Sequence, residues 1–340
     1  MKRKLSDFLS SIEEKAGINL RPVKEMIDTE QEKPLSAAIF GQTGCGKSSL
    51  TNAIFGTKFD VDDVKPCTKE PQAHRSEDSN GNPITFWDLP GIGESEEADK
   101  QYLDMYAEYA ANCDVVLWAF QADTRTMTLD AAALDAIVKR LGHERKSAFL
   151  DRLSVVITKA DVVSPGPWIF ARNGNDTLIA SSSETERTLD RKATYFFDGL
   201  LGKHQSDVVH RTFVSSKPKH LRDLPSDFLL DNSEAFISHK GTLNASKFSY
   251  LSNQHPSVHD ELIRLHDQSK AVYCSARYNF NLNGVKAKIA QKAKGKSMLR
   301  LSQSVARAEN TIPWSELKGL GLPVFFDQSK GRTIFNVEEH

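Results

Sequence analysis

Cysteine is scarce in this sequence, and closely paired cysteines are absent from it. The chain has 4 cysteines in 340 residues, at positions 45, 67, 113 and 274, and none of them forms a C-x-x-C pair. This wide spacing argues against a cysteine-based zinc motif and against a disulfide framework. Free thiols are typical of a protein in a reducing compartment.

Long apolar runs and an excess of one charge are also missing. No run approaches a membrane span, and the basic residues at the start are not followed by a signal-peptide core. The 44 basic and 45 acidic residues leave a formal net charge of −1, which disfavours a protein built to coat nucleic acid. We therefore expect a cytoplasmic protein without an integral membrane segment. Its hydrophobic content of 39% is enough for a real core.

One glycine-rich stretch is present, and the other motifs are arranged around it. The run GQTGCGKS at residues 41–48 fits the pattern G-x-x-x-x-G-K-[ST] at every fixed position. An apolar run precedes it and apolar residues at helical spacing follow, so we expect it to join a strand to a helix. Its backbone N–H groups would surround a phosphate, Lys47 would reach the β- and γ-phosphates, and Ser48 would bind Mg²⁺. The predicted phosphate-binding residues are Gln42, Thr43, Gly44, Cys45, Gly46, Lys47, Ser48 and Ser49.

A second motif ends a predicted hairpin. The turn dipeptide at residues 80–81 separates two short strand-like runs, and the second run ends at Asp88, three residues before Gly91. Ligands of open α/β sheets bind at the carboxyl ends of the strands, so we expect Asp88 to face the same crevice as Lys47. An aspartate there serves Mg²⁺, usually through water, and Gly91 lets its N–H approach the terminal phosphate.

A third motif follows an alternation of strands and helices. Apolar strands at 114–120 and 153–157 alternate with helices that begin near residues 95 and 128, which predicts a parallel sheet of βαβ units. The last strand leads into Thr158, Lys159 and Asp161. A carboxylate at Asp161 accepts from both N1–H and the exocyclic amine of guanine, whereas N1 of adenine is itself an acceptor. Lys159 is expected to lie across the base and to brace the phosphate loop.

Together these residues resemble the translation-factor-like class of P-loop GTPases. Within that class they are most similar to the Era-like branch of ribosome-binding or 50S-type GTPases and to YfjP-type GTPases, and more distantly to immunity-related and Toc GTPases. The likeness covers residues 35–161 and a shorter stretch at 271–292. It implies a three-layer α/β fold whose mostly parallel six-stranded sheet has one antiparallel edge strand. It also implies a guanine nucleotide (GTP or GDP) as ligand, Mg²⁺ as cofactor and GTP hydrolysis as activity.

The resemblance assigns two further parts of the site. Thr68 would be the switch-loop threonine that closes on Mg²⁺ and the γ-phosphate. The base-contacting turn has two candidates, Ser275 with Ala276, and the run at residues 215–217; we prefer the first, because a plausible closing helix follows it whereas the second runs into Pro218. The predicted metal residues are Ser48, Thr68 and Asp88, and the predicted catalytic residues are Lys47, Thr68 and Gly91.

The remaining segments define the expected domain organisation. Residues 1–33 are predicted to form an amphipathic helix and a linker, 34–295 the GTPase domain, and 296–340 a C-terminal extension; helical extensions are expected at both ends. A capping box at Ser183 and Glu186 predicts a long helix. An insertion at about 204–256 follows it, for which the alternatives are a lid, a partner-binding element or a partly disordered segment. The histidine-rich run at 255–267 favours an amphipathic helix over a metal site.

The residue after Gly91 limits the expected turnover. Ile92 stands where Ras-like proteins have a water-orienting glutamine, so we expect slow hydrolysis that a partner or a homodimer across the nucleotide face would raise. The alternative is a nucleotide-binding interaction module with little or no hydrolysis, and an ATPase is disfavoured by Asp161. The effector protein is not indicated. The absence of a lysine-rich G-x-x-G element weakens direct binding to ribosomal RNA.

Overall fold

A six-stranded sheet holds the predicted motifs in one layer. In the computed structural model it comprises β1 (Leu35–Gly41), β2 (Gln72–Glu77), β3 (Pro83–Asp88), β4 (Val115–Gln121), β5 (Leu153–Thr158) and β11 (Val272–Tyr273), in the order β11-β5-β4-β1-β3-β2. Every neighbouring pair is parallel except β2 and β3, which are antiparallel. The predicted parallel sheet with one antiparallel edge strand is thereby confirmed.

The structure describes residues 35–56, 59, 68–77, 83–163, 168–173, 176–214, 225–230, 236–293, 311–313, 325–327 and 332–334. Several predicted features lie outside these ranges. They are the N-terminal amphipathic helix with its linker, the hairpin turn at 80–81, the switch-loop residues 61–67 and the alternative base-contacting run at 215–217.

Helices cover both faces of the six-stranded sheet. They are α1 (Lys47–Phe55), α2 (Glu96–Asn112), α3 (Thr128–Arg152), α4 (Ser183–Leu201) and α7 (Leu282–Lys292), whereas α5 (Ala245–Gln254) and α6 (His259–Gln268) pack against a separate, smaller sheet. In β4, Val116, Trp118 and Phe120 belong to a buried apolar cluster that includes residues of α2, α3 and α4. The residues between them point to a second cluster with residues of α1 and α7. A strand buried on both faces needs apolar residues at every position, which explains the continuous apolar runs. No helix of the described part is long and apolar enough to cross a bilayer.

Two helix details differ from the sequence expectations. The N-cap of α4 is Ser182, whose side chain accepts from the Thr185 N–H at 3.2 Å, and not the predicted Ser183. Serines occupy three successive positions there, so the capping pattern alone did not select one. The apolar spacing predicts a helix over residues 128–141, but α3 continues to Arg152 with an interruption at Gly142 (φ 73°).

The insertion contains a small antiparallel sheet of its own. Its strands β8 (Val209–Phe213), β9 (Phe228–Leu230) and β10 (Phe236–Lys240) lie in the order β8-β10-β9. An apolar cluster packs this sheet against α5 and α6, and it includes Ile237, Leu251 and Leu262. The α6 helix covers most of the histidine-rich run, so the amphipathic helix predicted there is confirmed.

A third sheet joins distant parts of the chain. It comprises β6 (Trp168–Asn173), β7 (Asp176–Ser181), β12 (Thr311–Pro313), β13 (Phe325–Asp327) and β14 (Arg332–Ile334), in the order β12-β7-β6-β13-β14. The described residues of the C-terminal extension are therefore strands and not the expected helix. Threonine, isoleucine and phenylalanine favour strands, and proline disfavours helices. The pairing with β6 and β7 spans more than 100 residues of sequence, which no local pattern encodes.

Candidate nucleotide-binding site

The phosphate loop connects β1 to α1 and leaves the first turn of the helix open. Gly44 and Gly46 have φ angles of 78° and 89°, which side chains rarely adopt. No side chain caps α1, which is described along its whole length, and its first turn contains no acidic residue. Its N-terminal N–H groups thus remain available to an anion, with the positive end of the helix dipole behind them. The loop residues are placed at this end, with Cys45 buried and Gly44 exposed, and Ser49 is the third residue of α1.

Lys47 is held over the loop by backbone carbonyls. Its Nζ donates to the carbonyl oxygens of Gly41 at 3.2 Å and Gln42 at 3.0 Å, and only 6% of the residue is exposed. A buried ammonium group needs such acceptors. An incoming phosphate oxygen would offer it a stronger, charge-assisted hydrogen bond.

Three oxygen-bearing side chains meet beside the first turn of α1. Ser48 Oγ donates to Asp88 Oδ2 at 2.5 Å, and Thr68 Oγ1 lies 3.4 Å from Ser48 Oγ and 3.5 Å from Asp88 Oδ2. Asp88 is fully buried, and its Oδ1 has no hydrogen-bond partner among the described residues. Burial raises the pKa of Asp88, opposed by the Ser48 hydrogen bond and the Lys47 charge. Hard oxygen ligands around an unsatisfied carboxylate fit Mg²⁺.

The base-recognition motif lies against the same loop. Thr158 Oγ1 donates to the carbonyl oxygens of Cys45 and Phe120, and Lys159 Nζ donates to the carbonyl oxygen of Gly44 at 3.0 Å. Lys159 therefore braces the phosphate loop. Asp161 Oδ1 is buried and has no hydrogen-bond partner in the described ranges. An acceptor in this state matches the two donors that guanine presents.

The turn at Ser275 and Ala276 adjoins the Asp161 segment. The Cys274 N–H donates to the Ile157 carbonyl at 2.8 Å, and the Ala160 N–H donates to the Cys274 carbonyl at 2.9 Å. Ser275 is fully buried and pairs its backbone with that of Phe280. The β8 strand, which leads toward the alternative run at 215–217, belongs to the separate three-stranded sheet. The geometry thus favours Ser275 and Ala276 as the turn nearest to a base.

Gly91 packs directly on the phosphate loop. A Cβ atom at this position would lie 2.4 Å from the Thr43 backbone nitrogen, so no larger residue fits without movement. The Thr43 N–H donates to the Ile92 carbonyl at 3.0 Å. The Tyr106 hydroxyl lies 2.7 Å from the Pro90 carbonyl oxygen and 3.2 Å from that of Gly41. The D-x-x-G segment and the phosphate loop are therefore fastened together by backbone contacts.

The sequence predictions missed a buried carboxylate behind the loop. Asp130 is fully buried and accepts from Gln42 Nε2 at 2.5 Å and from Trp118 Nε1 at 2.7 Å. Burial raises its pKa, opposed by the hydrogen bonds from Trp118 and Gln42. The helical spacing of apolar residues predicts that the neighbouring Leu129 lies on the buried face of this helix, but Leu129 is 39% exposed. One sequence signal could have identified Asp130. It is an acidic residue that lies three and four positions before buried apolar residues of the same helix.

The comparisons with known proteins agree with this geometry. Residues 36–159 match the family described as 50S ribosome-binding GTPase. The segment from 36 to 159 belongs to this family. It is thus a P-loop GTPase segment, as the motifs predicted.

The relatives of this GTPase segment share only part of their length with the chain. This chain is 38% identical over 128 residues to the uncharacterized protein YkfA of Escherichia coli (strain K12). The matched segment covers 37% of this chain and 42% of YkfA. The chain is also 32% identical over 155 residues to the uncharacterized protein YfjP of the same strain, which covers 45% of this chain and 48% of YfjP. GTPase Era of Geotalea daltonii is 30% identical over 203 residues, which is 59% of this chain and 61% of Era. The chain thus spans less than half the length of the two Escherichia coli relatives.

Proposed function

We propose that this protein binds GTP with Mg²⁺, hydrolyses it to GDP and phosphate, and acts as a nucleotide-dependent switch. The observation that carries the proposal is the buried Asp161 Oδ1, which has no partner among the residues that the structure describes, on the segment whose Lys159 braces the phosphate loop. A guanine base would satisfy Asp161 through N1–H and the exocyclic amine while its phosphates lie at the N-terminus of α1. Ser275 and Ala276 would adjoin the base.

Each residue around the bound phosphates would have a separate role in phosphoryl transfer. Lys47 would exchange its carbonyl contacts for phosphate oxygens, and Ser48, Thr68 and Asp88 would hold the metal. Mg²⁺, when bound, neutralises charge that develops on the transferred phosphoryl group. The Gly91 N–H would approach the terminal phosphate. This contact would act mainly by positioning the phosphoryl group for transfer.

We further propose that intrinsic turnover is slow and that a partner raises it. The Ile92 side chain is apolar and 1% exposed, so it offers attacking water no hydrogen bond. An effector protein, or a second copy of this chain across the nucleotide face, would complete the site. The second candidate function, a nucleotide-binding interaction module with little hydrolysis, is favoured by the same residue.

Phosphate release from GTP and from ATP tests these alternatives. The assay compares wild type with Lys47→Ala in Mg²⁺ over a range of protein concentrations, and Lys100→Ala, an exposed lysine of α2, is the matched control. We expect GTP-specific release that rises per molecule with concentration. Lys47→Ala should lower it at least ~100-fold, because a charge that stabilises the transition state is removed, while Lys100→Ala leaves it unchanged. GTP binding without release would favour the binding module, and equal use of ATP would overturn the assignment of Asp161.

The proposed domain organisation follows from the same segments. We propose a GTPase domain over residues 34–295 with an insertion at about 204–256, and a C-terminal extension, 296–340, whose strands pair with β6 and β7 after the Asp161 segment. A cytoplasmic location is part of the proposal, supported by the free thiols of Cys45, Cys113 and Cys274. Association with ribosomes has only the family description in its favour.

A further inference from the structure

The first side chain after Gly91, that of Ile92, is buried and apolar. Ile92 belongs to the buried apolar cluster next to α2. Both its backbone N–H and its backbone carbonyl are hydrogen-bonded. Its N–H donates to the Gly41 carbonyl at 3.3 Å, and its carbonyl accepts from the Thr43 N–H at 3.0 Å. A water that attacks a phosphate needs an acceptor for its proton, and neither Ile92 nor the following Gly93 has a polar side chain.

Glu94 is the next residue, and its carboxylate is already held beside the loop. Thr43 Oγ1 donates to Glu94 Oε1 at 3.0 Å, and the Tyr102 hydroxyl donates to Glu94 Oε2 at 3.4 Å. Burial, followed by the Glu94 charge, raises the pKa of Tyr102, so this hydroxyl stays protonated and remains a donor. Two donors from two different elements therefore fix one carboxylate, although Glu94 itself is exposed to solvent.

The hydrogen bond with Thr43 places the Glu94 carboxylate close to the expected position of the reacting phosphate. Thr43 is in the phosphate loop and is the residue on which Gly91 packs. In the proposed function the Gly91 N–H approaches the terminal phosphate. Glu94 therefore lies beside the groups that would surround this phosphate. The start of α2 is fixed immediately after Glu94, because the Ser95 side chain caps the helix by accepting from the Ala98 N–H at 3.2 Å.

We propose that Glu94 orients the attacking water and accepts its proton, and that Thr43 and Tyr102 position the carboxylate. The inference rests on the proposed GTP hydrolysis. The water oxygen forms the new bond to the γ-phosphorus, and the bond from this phosphorus to the bridging oxygen breaks with its electron pair left on GDP. The proton from water passes to the Glu94 carboxylate, which then releases it to solvent.

Single-turnover hydrolysis with protein in excess over GTP tests the role of Glu94. We expect Glu94→Gln to lower the hydrolysis rate about 100-fold, the usual range for loss of a general base, because the amide cannot take a proton from water. GTP and GDP affinities should stay within about threefold. Glu94→Asp should recover part of the rate, Tyr102→Phe should lower it a few-fold, and Glu97→Gln, an exposed carboxylate of the same acidic segment, should leave it unchanged.

Capture of GDP with aluminium fluoride separates this role from a structural one. The complex mimics the transferring phosphoryl group, so Glu94→Gln should weaken its capture while GDP affinity and thermal midpoint remain those of wild type. If Glu94→Gln hydrolyses GTP at the wild-type rate, the inference is overturned and the proposed function stays intact. If the variant loses nucleotide affinity and thermal midpoint in parallel with its rate, Glu94 has a structural role and the inference is also overturned. A wild-type protein that binds GTP and releases no phosphate would overturn both.

Discussion

The carboxyl edge of the six-stranded sheet and the insertion both bury polar side chains, but the atoms left unpaired in the described parts of the two regions are of different kinds. At the edge, Asp88 Oδ1 and Asp161 Oδ1 are buried without a partner in the described chain. Where the insertion packs against α6, Gln268 of that helix pairs its side-chain amide with the backbone N–H and carbonyl of Arg211, at 3.2 Å and 2.9 Å. His266 Nδ1 likewise lies 2.6 Å from the Leu243 carbonyl oxygen.

This difference separates a ligand site from a structural network. An unpaired buried polar group costs about 1–3 kcal/mol, and among the described residues of the insertion the unpaired atoms are Nδ1 of His204, both ring nitrogens of His210 and the Ser252 hydroxyl. Both unpaired atoms at the edge are carboxylate oxygens, which accept hydrogen bonds or bind cations. A guanine base and a hydrated metal ion would satisfy them, whereas the unpaired atoms described in the insertion are imidazole nitrogens and a serine hydroxyl.

The largest expected effect tests the edge of the sheet at Asp161. We expect Asp161→Asn to weaken GDP binding about 100-fold, or about 2.7 kcal/mol, because an amide N–H₂ replaces one acceptor and faces the donors of guanine. Xanthosine diphosphate should lose much less, since its C2 carbonyl accepts from that amide. Equilibrium titration of both nucleotides measures the change, with the exposed Asp123→Asn as the control. Unchanged GDP affinity would contradict the assignment.

The comparison also explains how far the sequence could predict the structure. Lys47, Asp88 and Asp161 were predictable because each chemistry allows few residue types, and each motif follows a strand with a strong apolar run. Their supporting residues were not, because Glu94 and Asp130 act through contacts with distant parts of the chain. The pairings of β8 with β10 and of β13 with β6 are made by backbone groups. Side-chain periodicity carries little information about such pairings.

The second prediction concerns the buried support of the phosphate loop. Asp130→Ala would leave Trp118 Nε1 and the Gln42 amide without their acceptor, so we expect a loss of about 2 kcal/mol in the free energy of unfolding and weaker nucleotide binding. The matched control is Asp104→Ala, because Asp104 pairs with Arg140 at 2.6 Å on the surface. That change should cost less than about 1 kcal/mol. Chemical denaturation of both variants gives the comparison, and equal losses would contradict it.

His210 is one of the buried polar residues that have unpaired atoms in the described part of the insertion. It is fully buried, and neither of its ring nitrogens has a hydrogen-bond partner within the described residues. Burial lowers the pKa of His210 well below 6.5, and the positive charges of Lys292, Lys288 and His239 lower it further. The ring of Phe197 lies 6.1 Å away and supplies no charge. The folded protein therefore keeps this imidazole neutral under mildly acidic conditions.

The smallest predicted effect follows from this neutral imidazole. Below about pH 6.5 the unfolded chain binds a proton at His210 and the folded chain does not, so the free energy of unfolding falls as the pH falls. Between pH 7 and 5.5 the wild type should lose about 1 kcal/mol more than His210→Leu, which has nothing to protonate. His143→Leu, at an exposed position of α3, should follow the wild type. Denaturation midpoints across this range measure the slopes, and parallel slopes for wild type and His210→Leu would contradict the prediction, because the folded chain would then protonate His210 as readily as the unfolded chain does.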